Sequence, residues 1–341
     1  MPIRDKRALS TFLRQFSKES RSLFEPDSRV VVAVSGGADS IALMHLIARS
    51  NLLTPPISES VLVAHFDHNL RRESAEEGRF VQQAAKDLGL KTVLSRWQQP
   101  PDRGNLPAQA REARYHFLTR TASEHGANLV ATGHHQDDQV ETFLERLLRG
   151  SGITGLCAMA PSRRLSETVT LVRPLLYLSR AAIRLWLKSQ QINWREDPSN
   201  DNTNYRRANL RHGLIPQLTR LEPQAIERVA ATTQRMAQAT SALEWALDQQ
   251  WPKLACHEVA GGVSLDLLAL KGLPDELLVR ALRRCHQTVT KGNHPPGQKA
   301  VAGFIRLARS AQRGGEMRIR GIKITKENKR LVFCEATEAP H

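Results

Sequence analysis

Residues 30–40 read VVVAVSGGADS, in which five apolar residues that favour a β-strand lead directly into a Gly-rich turn. From Ala38 onward, apolar residues recur at helical spacing, as at Ile41, Met44 and Ile47. A buried strand joined to a helix by Ser-Gly-Gly is typical of α/β folds that bind phosphate, because glycines let consecutive N–H groups converge on an anion. The alternative is an ordinary turn between strand and helix, where Gly and Asp are also common.

The turn carries a carboxylate that does not suit a simple anion site. Asp39 would repel a phosphate unless a divalent cation lay between the two groups. We therefore expect this turn to bind phosphates together with Mg²⁺ at Asp39. The predicted phosphate contacts are Ser35, Gly36, Gly37, Ala38, Asp39 and Ser40.

Two better-known nucleotide motifs are excluded. The sequence contains no G-x-x-x-x-G-K-[ST], so it has no P-loop lysine. A G-x-G-x-x-G does occur at residues 150–155, but it follows a predicted helix. A dinucleotide fingerprint must follow a strand and begin a helix, so this match does not indicate a dinucleotide site.

The first half of the chain alternates between strand-like and helix-like segments. This alternation predicts an α/β fold, with a parallel sheet that has helices on both faces and ligands at the carboxyl ends of its strands. The predicted strands are 30–34, 61–66, 91–97 and 128–133, and the predicted helices are 38–50, 74–88, 107–125 and 137–149.

The second half predicts a smaller, basic domain. We expect a catalytic domain at 1–215, a connecting helix at 216–252 and a helical or α+β domain at 253–341, with helices near 275–289 and 298–310 and a hairpin at 316–336. Residues 203–341 carry 22 Lys and Arg against 12 Asp and Glu, most of the net charge of +15. This asymmetry fits a domain that holds a polyanion, although a generally basic, soluble protein is the open alternative.

Cysteine usage and hydropathy limit the protein class. The four cysteines form no C-x-x-C pair, so neither a disulfide framework nor a zinc or iron–sulfur site is indicated. His65 and His68 are three residues apart, but no further ligands are placed nearby, which favours structural or nucleotide-adjacent roles over a metal site. We expect a cytoplasmic protein with no membrane segment, and the sequence is compatible with a homodimer.

Two further pairs of charged residues are spaced for a shared helix face. Arg111 and Arg114 are three residues apart in one predicted helix, as are Asp138 and Glu141 in another. Arginines suit phosphate or developing negative charge, and the alternative is a pair of solvated surface residues. Two carboxylates near a phosphate site can hold a cation, which is either magnesium or an amino group of a substrate.

The motifs together resemble a known family. SGGADS resembles the pyrophosphate loop of the N-type ATP pyrophosphatases, which share the adenine nucleotide α-hydrolase fold. Within that superfamily, the tRNA(Ile)-lysidine synthetases are similar at H-x-x-H-x-L-R (65–71), R-x-x-R-Y (111–115), G-H-x-x-D-D-x-x-E-T (133–142) and EDPSN (196–200). The segment 207–212 departs from the family's R-N-x-x-R-H, because Ala208 stands where Asn is typical, whereas Arg207, Arg211 and His212 match.

The resemblance implies a ligase that uses ATP and Mg²⁺. Such enzymes adenylate the oxygen on carbon 2 of the wobble cytidine in tRNA(Ile) with anticodon CAU, release pyrophosphate, and then join free L-lysine to that carbon as AMP leaves. Asp39, Arg114, Asp138, Glu141 and Arg207 are the implied catalytic residues. Asp39 would hold Mg²⁺, the two arginines would bind the α-phosphate or adenylate, and the other two carboxylates would bind lysine.

The tRNA contacts are predicted separately. Alternation along the terminal hairpin points three basic side chains away from its apolar face. The predicted tRNA contacts are Arg211, Arg318, Arg320 and Lys323. Two alternatives are another tRNA-modifying enzyme of the superfamily, namely a thiolase, and a non-catalytic ATP- or RNA-binding protein on the same fold.

Overall fold

A computed structural model describes most of the chain. The described residues are 3–54, 56–69, 74–98, 106–196, 206–259, 262–290, 296–312 and 314–336. The chain divides into two compact units, Met1–Met236 and Ala237–His341. In the described part of the chain, no helix is both long enough and apolar enough to cross a membrane.

The first unit is built on a six-stranded sheet in the order β3-β2-β1-β4-β6-β5. Its strands are β1 (Val30–Ala33), β2 (Val61–Asp67), β3 (Lys91–Arg96), β4 (Leu129–Ala131), β5 (Ser162–Arg164) and β6 (Thr170–Val172). Its helices are α1 (Ile3–Ser20), α2 (Ala38–Arg49), α3 (Ile57–Ser60), α4 (Ser74–Asp87), α5 (Leu106–Glu124), α6 (Gln136–Leu148), α7 (Ile153–Leu156), α8 (Arg180–Ser189), α9 (Arg206–Asn209) and α10 (Ile215–Leu221).

The sheet is parallel except at one edge. Strand β1 pairs in parallel with β2 and β4, whereas β5 runs antiparallel to β6. Only a short turn separates β5 from β6, and a parallel pair would need a long crossover connection. The predicted α/β class is confirmed, and the antiparallel edge strand is the feature that the sequence did not indicate.

Alternate residues of β1 face two different cores. Val30 and Val32 pack into a cluster that includes Phe16 of α1 and Ile41 of α2. Val31 lies in a second cluster with residues of α5. Because successive side chains of a strand point to opposite faces, these two clusters show that helices cover both faces of the sheet. This confirms the predicted layering.

A helical segment follows residue 206 and continues through a long helix. Helix α9 leads into a π-helical turn (Leu210–Leu214), then α10, and then α11 (Ala225–Leu254). Ile226 and Val229 of α11 pack against a core cluster that includes Val140 of α6. The boundary between the two compact units therefore falls inside α11, after Met236.

The second unit contains a five-stranded antiparallel sheet in the order β7-β8-β11-β10-β9. Its elements are β7 (Ala255–Val259), β8 (Gly262–Asp266), α12 (Leu267–Lys271), α13 (Asp275–Thr290), α14 (Gln298–Arg309), β9 (Glu316–Ile319), β10 (Ile322–Lys326) and β11 (Arg330–Glu335). Leu282 of α13, Phe304 of α14 and Ile324 of β10 meet in its core. The sequence indicated α13, α14 and the terminal hairpin, but it did not indicate β7 and β8.

Candidate active site

The turn after β1 adopts a conformation that needs glycine. Gly36 has a φ of +97°, a region in which side chains are strained. Gly37 is the N-cap of α2, so the helix begins at Ala38. The free N–H groups at this helix start and the helix dipole provide an environment that favours a phosphate group.

The two serines of the turn bond to the turn itself. Ser40 is buried, accepts a hydrogen bond from the backbone N–H of Ser35 at 3.1 Å and donates to the carbonyl of Gly37 at 2.9 Å. The hydroxyls of Ser35 and Ser40 are 3.2 Å apart. Ser40 therefore stabilises the shape of the turn, and Ser35 is the more exposed of the two hydroxyls.

A cleft of about 540 Å³ lies at the carboxyl ends of β1, β2 and β4. Among the described residues, its lining includes Asp39 and Arg114 but neither Asp138 nor Glu141. The remaining lining residues that bear on function are Ser35, Gly37, Ser40, His68, Gly133, His134, Arg180, Arg184, Arg195 and Glu196. The cleft thus joins the Gly-rich turn after β1 to the predicted catalytic arginine of α5.

Gly133 allows β4 to approach the start of α2. A Cβ at this position would lie 3.0 Å from the carbonyl carbon of Asp39 and 3.1 Å from the backbone nitrogen of Ser40. These neighbours are backbone atoms, which move less readily than a flexible side chain. A glycine is therefore needed for close packing beside the turn, a role that the sequence did not indicate.

His135 lies between the carboxylates of two helices. Its Nε2 atom is 3.5 Å from Asp39 Oδ2 and 3.6 Å from Asp138 Oδ2, and its Nδ1 atom is 3.7 Å from Asp137 Oδ2. Burial alone would lower the pKa of His135, but Asp138, Asp39 and Asp137 raise that pKa to about 9. A charged His135 thus links the turn carboxylate to α6, a role that the sequence did not indicate.

Its neighbour His134 is held in the opposite charge state. The ring Nδ1 is 2.9 Å from the hydroxyl of Thr132. Burial lowers the pKa of His134, and together with Arg173 and Arg114, against the opposing effect of Asp138, it brings that pKa to about 3. His134 is therefore a neutral hydrogen-bonding group on the wall of the cleft.

Asp138 and Glu141 form a closed network with two arginines. Arg207 donates from Nε to Glu141 Oε2 at 2.6 Å and from Nη2 to Asp138 Oδ1 at 2.8 Å. Arg211 donates from Nε to Glu141 Oε1 at 2.6 Å. The Glu141 side chain is only 1% exposed, and a buried carboxylate requires such partners.

The charge states of this network follow from its contacts. Burial alone would raise the pKa of Asp138, but His135 and Arg207 lower that pKa to about 2. The carboxylate is therefore ionised at neutral pH. In this structure the guanidinium of Arg211 donates to Glu141. The predicted contact of Arg211 with tRNA stays a prediction.

Other residues of the motifs contribute through packing and backbone contacts. His65 is buried, with Nδ1 2.8 Å from the carbonyl of Val34, which is a structural contact. The backbone N–H of Arg195 donates to the carbonyl of Gly36 at 3.0 Å, so the residue that precedes the EDPSN motif contacts the Gly-rich turn. The residues Leu70–Arg72 and Asp197–Tyr205 lie outside the described residues.

No ready-made metal cluster accompanies Asp39. Within the described ranges, no group of three or more His, Cys, Asp or Glu residues is arranged to hold a metal ion. Asp39 Oδ1 is, however, buried and accepts no hydrogen bond from any described residue. One carboxylate oxygen in the cleft is therefore available to a ligand.

The predicted tRNA contacts of the second unit differ in exposure. Arg318 and Arg320 are exposed, whereas Lys323 is half-buried and pairs with Glu316 at 2.7 Å. Lys326 belongs to the same basic hairpin, but its side chain is buried and donates to the carbonyl of Ser310 at 2.7 Å. Some basic side chains of this hairpin are therefore exposed at the surface, whereas Lys326 stabilises the C-terminal end of α14.

Arg280 of α13 is also an internal residue. Its side chain is 1% exposed and pairs with Glu276 at 3.1 Å and with Glu244. The two carboxylates hold this arginine inside the unit, so it is not a surface charge that could contact tRNA. Arg284, one turn later, lies over the ring of Trp251 and pairs with Asp248 at 2.6 Å.

Comparisons with known proteins identify the family. The PP-loop domain family matches residues 6–218. The tRNA(Ile)-lysidine synthase of Ruegeria pomeroyi is 40% identical over 92% of this chain and 73% of its own length. The enzyme of the same name from Bradyrhizobium diazoefficiens is 39% identical over 79% of this chain and 76% of its own length.

A solved structure supports the fold. The U34-tRNA thiolase NcsA from Methanococcus maripaludis superposes with a TM-score of 0.58 over 68% of this chain and 79% of that chain. At 14% identity, this similarity shows the fold alone. The relatives that match in sequence show the family. The chain belongs to the tRNA(Ile)-lysidine synthase family and is a ligase with a PP-loop ATP-binding domain.

Proposed function

We propose that the chain joins free lysine to carbon 2 of the wobble cytidine in tRNA(Ile) with anticodon CAU, through an adenylated tRNA. The observation that carries this proposal is the link from Asp39 through His135 to Asp138, at 3.5 and 3.6 Å. This link supports an arrangement in which the turn binds phosphates and the buried carboxylate pair forms a neighbouring subsite. A reaction that uses both ATP and an amine needs these two subsites side by side.

The first step is adenylation of the base. The turn at residues 35–40 binds the β- and γ-phosphates through backbone N–H groups at the start of α2. Arg114, on the wall of the cleft, binds the α-phosphate. The oxygen on carbon 2 of cytosine attacks the α-phosphorus, and pyrophosphate leaves.

Asp39 fits the magnesium ion that this step requires. Its Oδ1 atom is buried in the cleft without a hydrogen-bond donor among the described residues, and a carboxylate oxygen is a ligand that Mg²⁺ prefers. Bound there, Mg²⁺ would neutralise the charge of the leaving pyrophosphate. His135, held positive beside Asp39, keeps the other carboxylate oxygen in place.

The second step uses Asp138 and Glu141. The ammonium group of lysine binds to these carboxylates and loses a proton to Glu141, and the resulting amine attacks carbon 2 as AMP leaves. Arg207, whose side chain is 42% exposed, occupies the same oxygens in this structure. We propose that lysine displaces Arg207 from them, so that Arg207 becomes available to bind the adenylate phosphate.

Two rival functions make different predictions. A thiolase would transfer sulfur, but no cysteine lines the cleft in the described part of the chain. A non-catalytic nucleotide- or RNA-binding protein on this fold would bind ATP without releasing pyrophosphate. Both rivals are distinguished from the proposal by the fate of ATP and lysine.

The test is incubation of the protein with ATP, labelled lysine and bulk tRNA. We expect label to become acid-insoluble only when ATP and Mg²⁺ are present. The Asp39→Asn variant keeps the shape of the turn but loses the charge, so its pyrophosphate release should fall by about two orders of magnitude or more, as when a group that stabilises developing charge is removed. Near-normal turnover of this variant across magnesium concentrations would contradict the metal role of Asp39.

A further inference from the structure

Three arginines surround one aromatic ring beside the cleft. The Cζ atoms of Arg111, Arg114 and Arg163 lie 4.9, 5.4 and 5.2 Å from the ring centroid of Tyr115. Two of these arginines come from α5, and Arg163 comes from the edge strand β5. We call this group, together with the adjacent Arg173, the arginine cluster.

The cluster has no matching negative charge. Among the described residues, no carboxylate pairs with Arg111, Arg114 or Arg163. Burial lowers the pKa of Arg173, and Arg163 and Arg111 lower it further, although Tyr115 acts in the opposite direction. Several guanidinium groups are thus held close together, and an anion from outside would relieve their mutual repulsion.

The cluster extends from the cleft to the surface. Arg114 lines the cleft, while Arg111 and Arg163 are exposed. Strand β5 lies at the edge of the sheet, so Arg163 is open to a ligand that approaches from solvent. Contact with the ring of Tyr115 restrains each guanidinium and leaves its N–H groups free for a phosphate.

We propose that Arg111 and Arg163 bind a backbone phosphate of the tRNA, next to the nucleotide whose base enters the cleft. This inference rests on the proposed function, which requires one base of a polynucleotide to reach the ATP site. Arg114 then belongs to the ATP side of the cluster, and Arg111 and Arg163 to the tRNA side. The same chemistry could in principle serve a phosphate of ATP, and the experiment separates these two sources.

The experiment measures steady-state lysine transfer by the parent and by an Arg111→Ala/Arg163→Ala variant. We expect the KM for tRNA to rise about 10- to 100-fold, the range for loss of charge-assisted hydrogen bonds. The KM for ATP should not change. The slope of log tRNA affinity against log salt should become shallower by about 1, because one phosphate contact is lost.

Arg120→Ala is the matched control, since Arg120 is an exposed residue of the same helix that pairs with Glu124 at 3.6 Å. It should keep the parental KM for tRNA and the parental salt slope. The single Arg163→Ala variant, which changes one exposed residue of an edge strand, serves if the double variant does not fold.

Three results would overturn the inference. They are an unchanged KM for tRNA, an unchanged salt slope, or a rise in the KM for ATP instead of that for tRNA. Failure of the proposed function would look different, because the parent itself would then transfer no lysine to tRNA.

Discussion

Replacing Glu141 with Gln tests the buried carboxylate network, because the change removes one charge and keeps the side-chain shape. Glu141 is 1% exposed and accepts two hydrogen bonds of 2.6 Å, from Arg207 and Arg211. Each hydrogen bond to a charged group contributes about 1.5–3 kcal/mol. Because both arginines also contact Asp138 and are partly solvated, we expect the free energy of unfolding to fall by about 2–3 kcal/mol.

The same substitution should weaken the use of lysine more than the use of ATP. The apparent KM for lysine should rise about 10- to 100-fold, the effect of losing one charged partner, while the KM for ATP stays close to the parental value. Thermal unfolding should show a melting temperature lower by roughly 5–10 °C, given about 2–4 °C per kcal/mol for a unit of this size.

Glu145→Gln on the same helix is the control, since Glu145 pairs with Arg149 at the surface and such pairs contribute about 1 kcal/mol or less. An unchanged KM for lysine together with lost ATP binding would refute the reasoning. That result would point to a second magnesium site at Asp138 and Glu141.

Three further predictions concern stability, the turn and tRNA binding. Burial lowers the pKa of His45 from 6.5 to about 4, so the protein should lose up to about 3 kcal/mol of stability as pH falls from 6.5 to 4, and His45→Leu should remove most of this loss in pH-dependent melting. Gly133→Ala should destabilise the first unit by about 1–3 kcal/mol and weaken ATP binding in a titration, whereas Gly152→Ala, with open space around it, should not. A triple Ala variant should have a salt slope of tRNA affinity in filter binding that is shallower by about 2–3, and an unchanged slope would contradict the contact. The triple variant replaces Arg318, Arg320 and Lys323.

Much of the first unit could be predicted because its signals are local. The apolar run at 30–34 and the glycines that follow it specify a strand, a turn and a helix from neighbouring residues alone, and the structure has β1 and α2 there. The edge strand β5 is different. Its sequence, Ser-Arg-Arg, has no strand signal, and all three residues are exposed, so only pairing with β6 makes it a strand.

The contacts of the site depended on tertiary structure and could not be derived from spacing. Asp138 and Glu141 were recognised as a pair, but the arginines that neutralise them come from about 70 residues further along the chain. Likewise, the period-2 pattern of the terminal hairpin indicated correctly that Arg318 is exposed. It could not indicate that Lys326 reaches the carbonyls at the end of α14, because that contact joins two separate elements.

The fate of ATP labelled at the α-phosphate tests the central claim most directly, when it is measured together with lysine incorporation into tRNA(Ile). The proposed chemistry predicts one AMP and one pyrophosphate for each lysine attached, with no product in the absence of tRNA. Nucleoside analysis should find the lysine on cytidine. Release of ADP, or formation of AMP and pyrophosphate without lysine transfer to tRNA, would contradict the account.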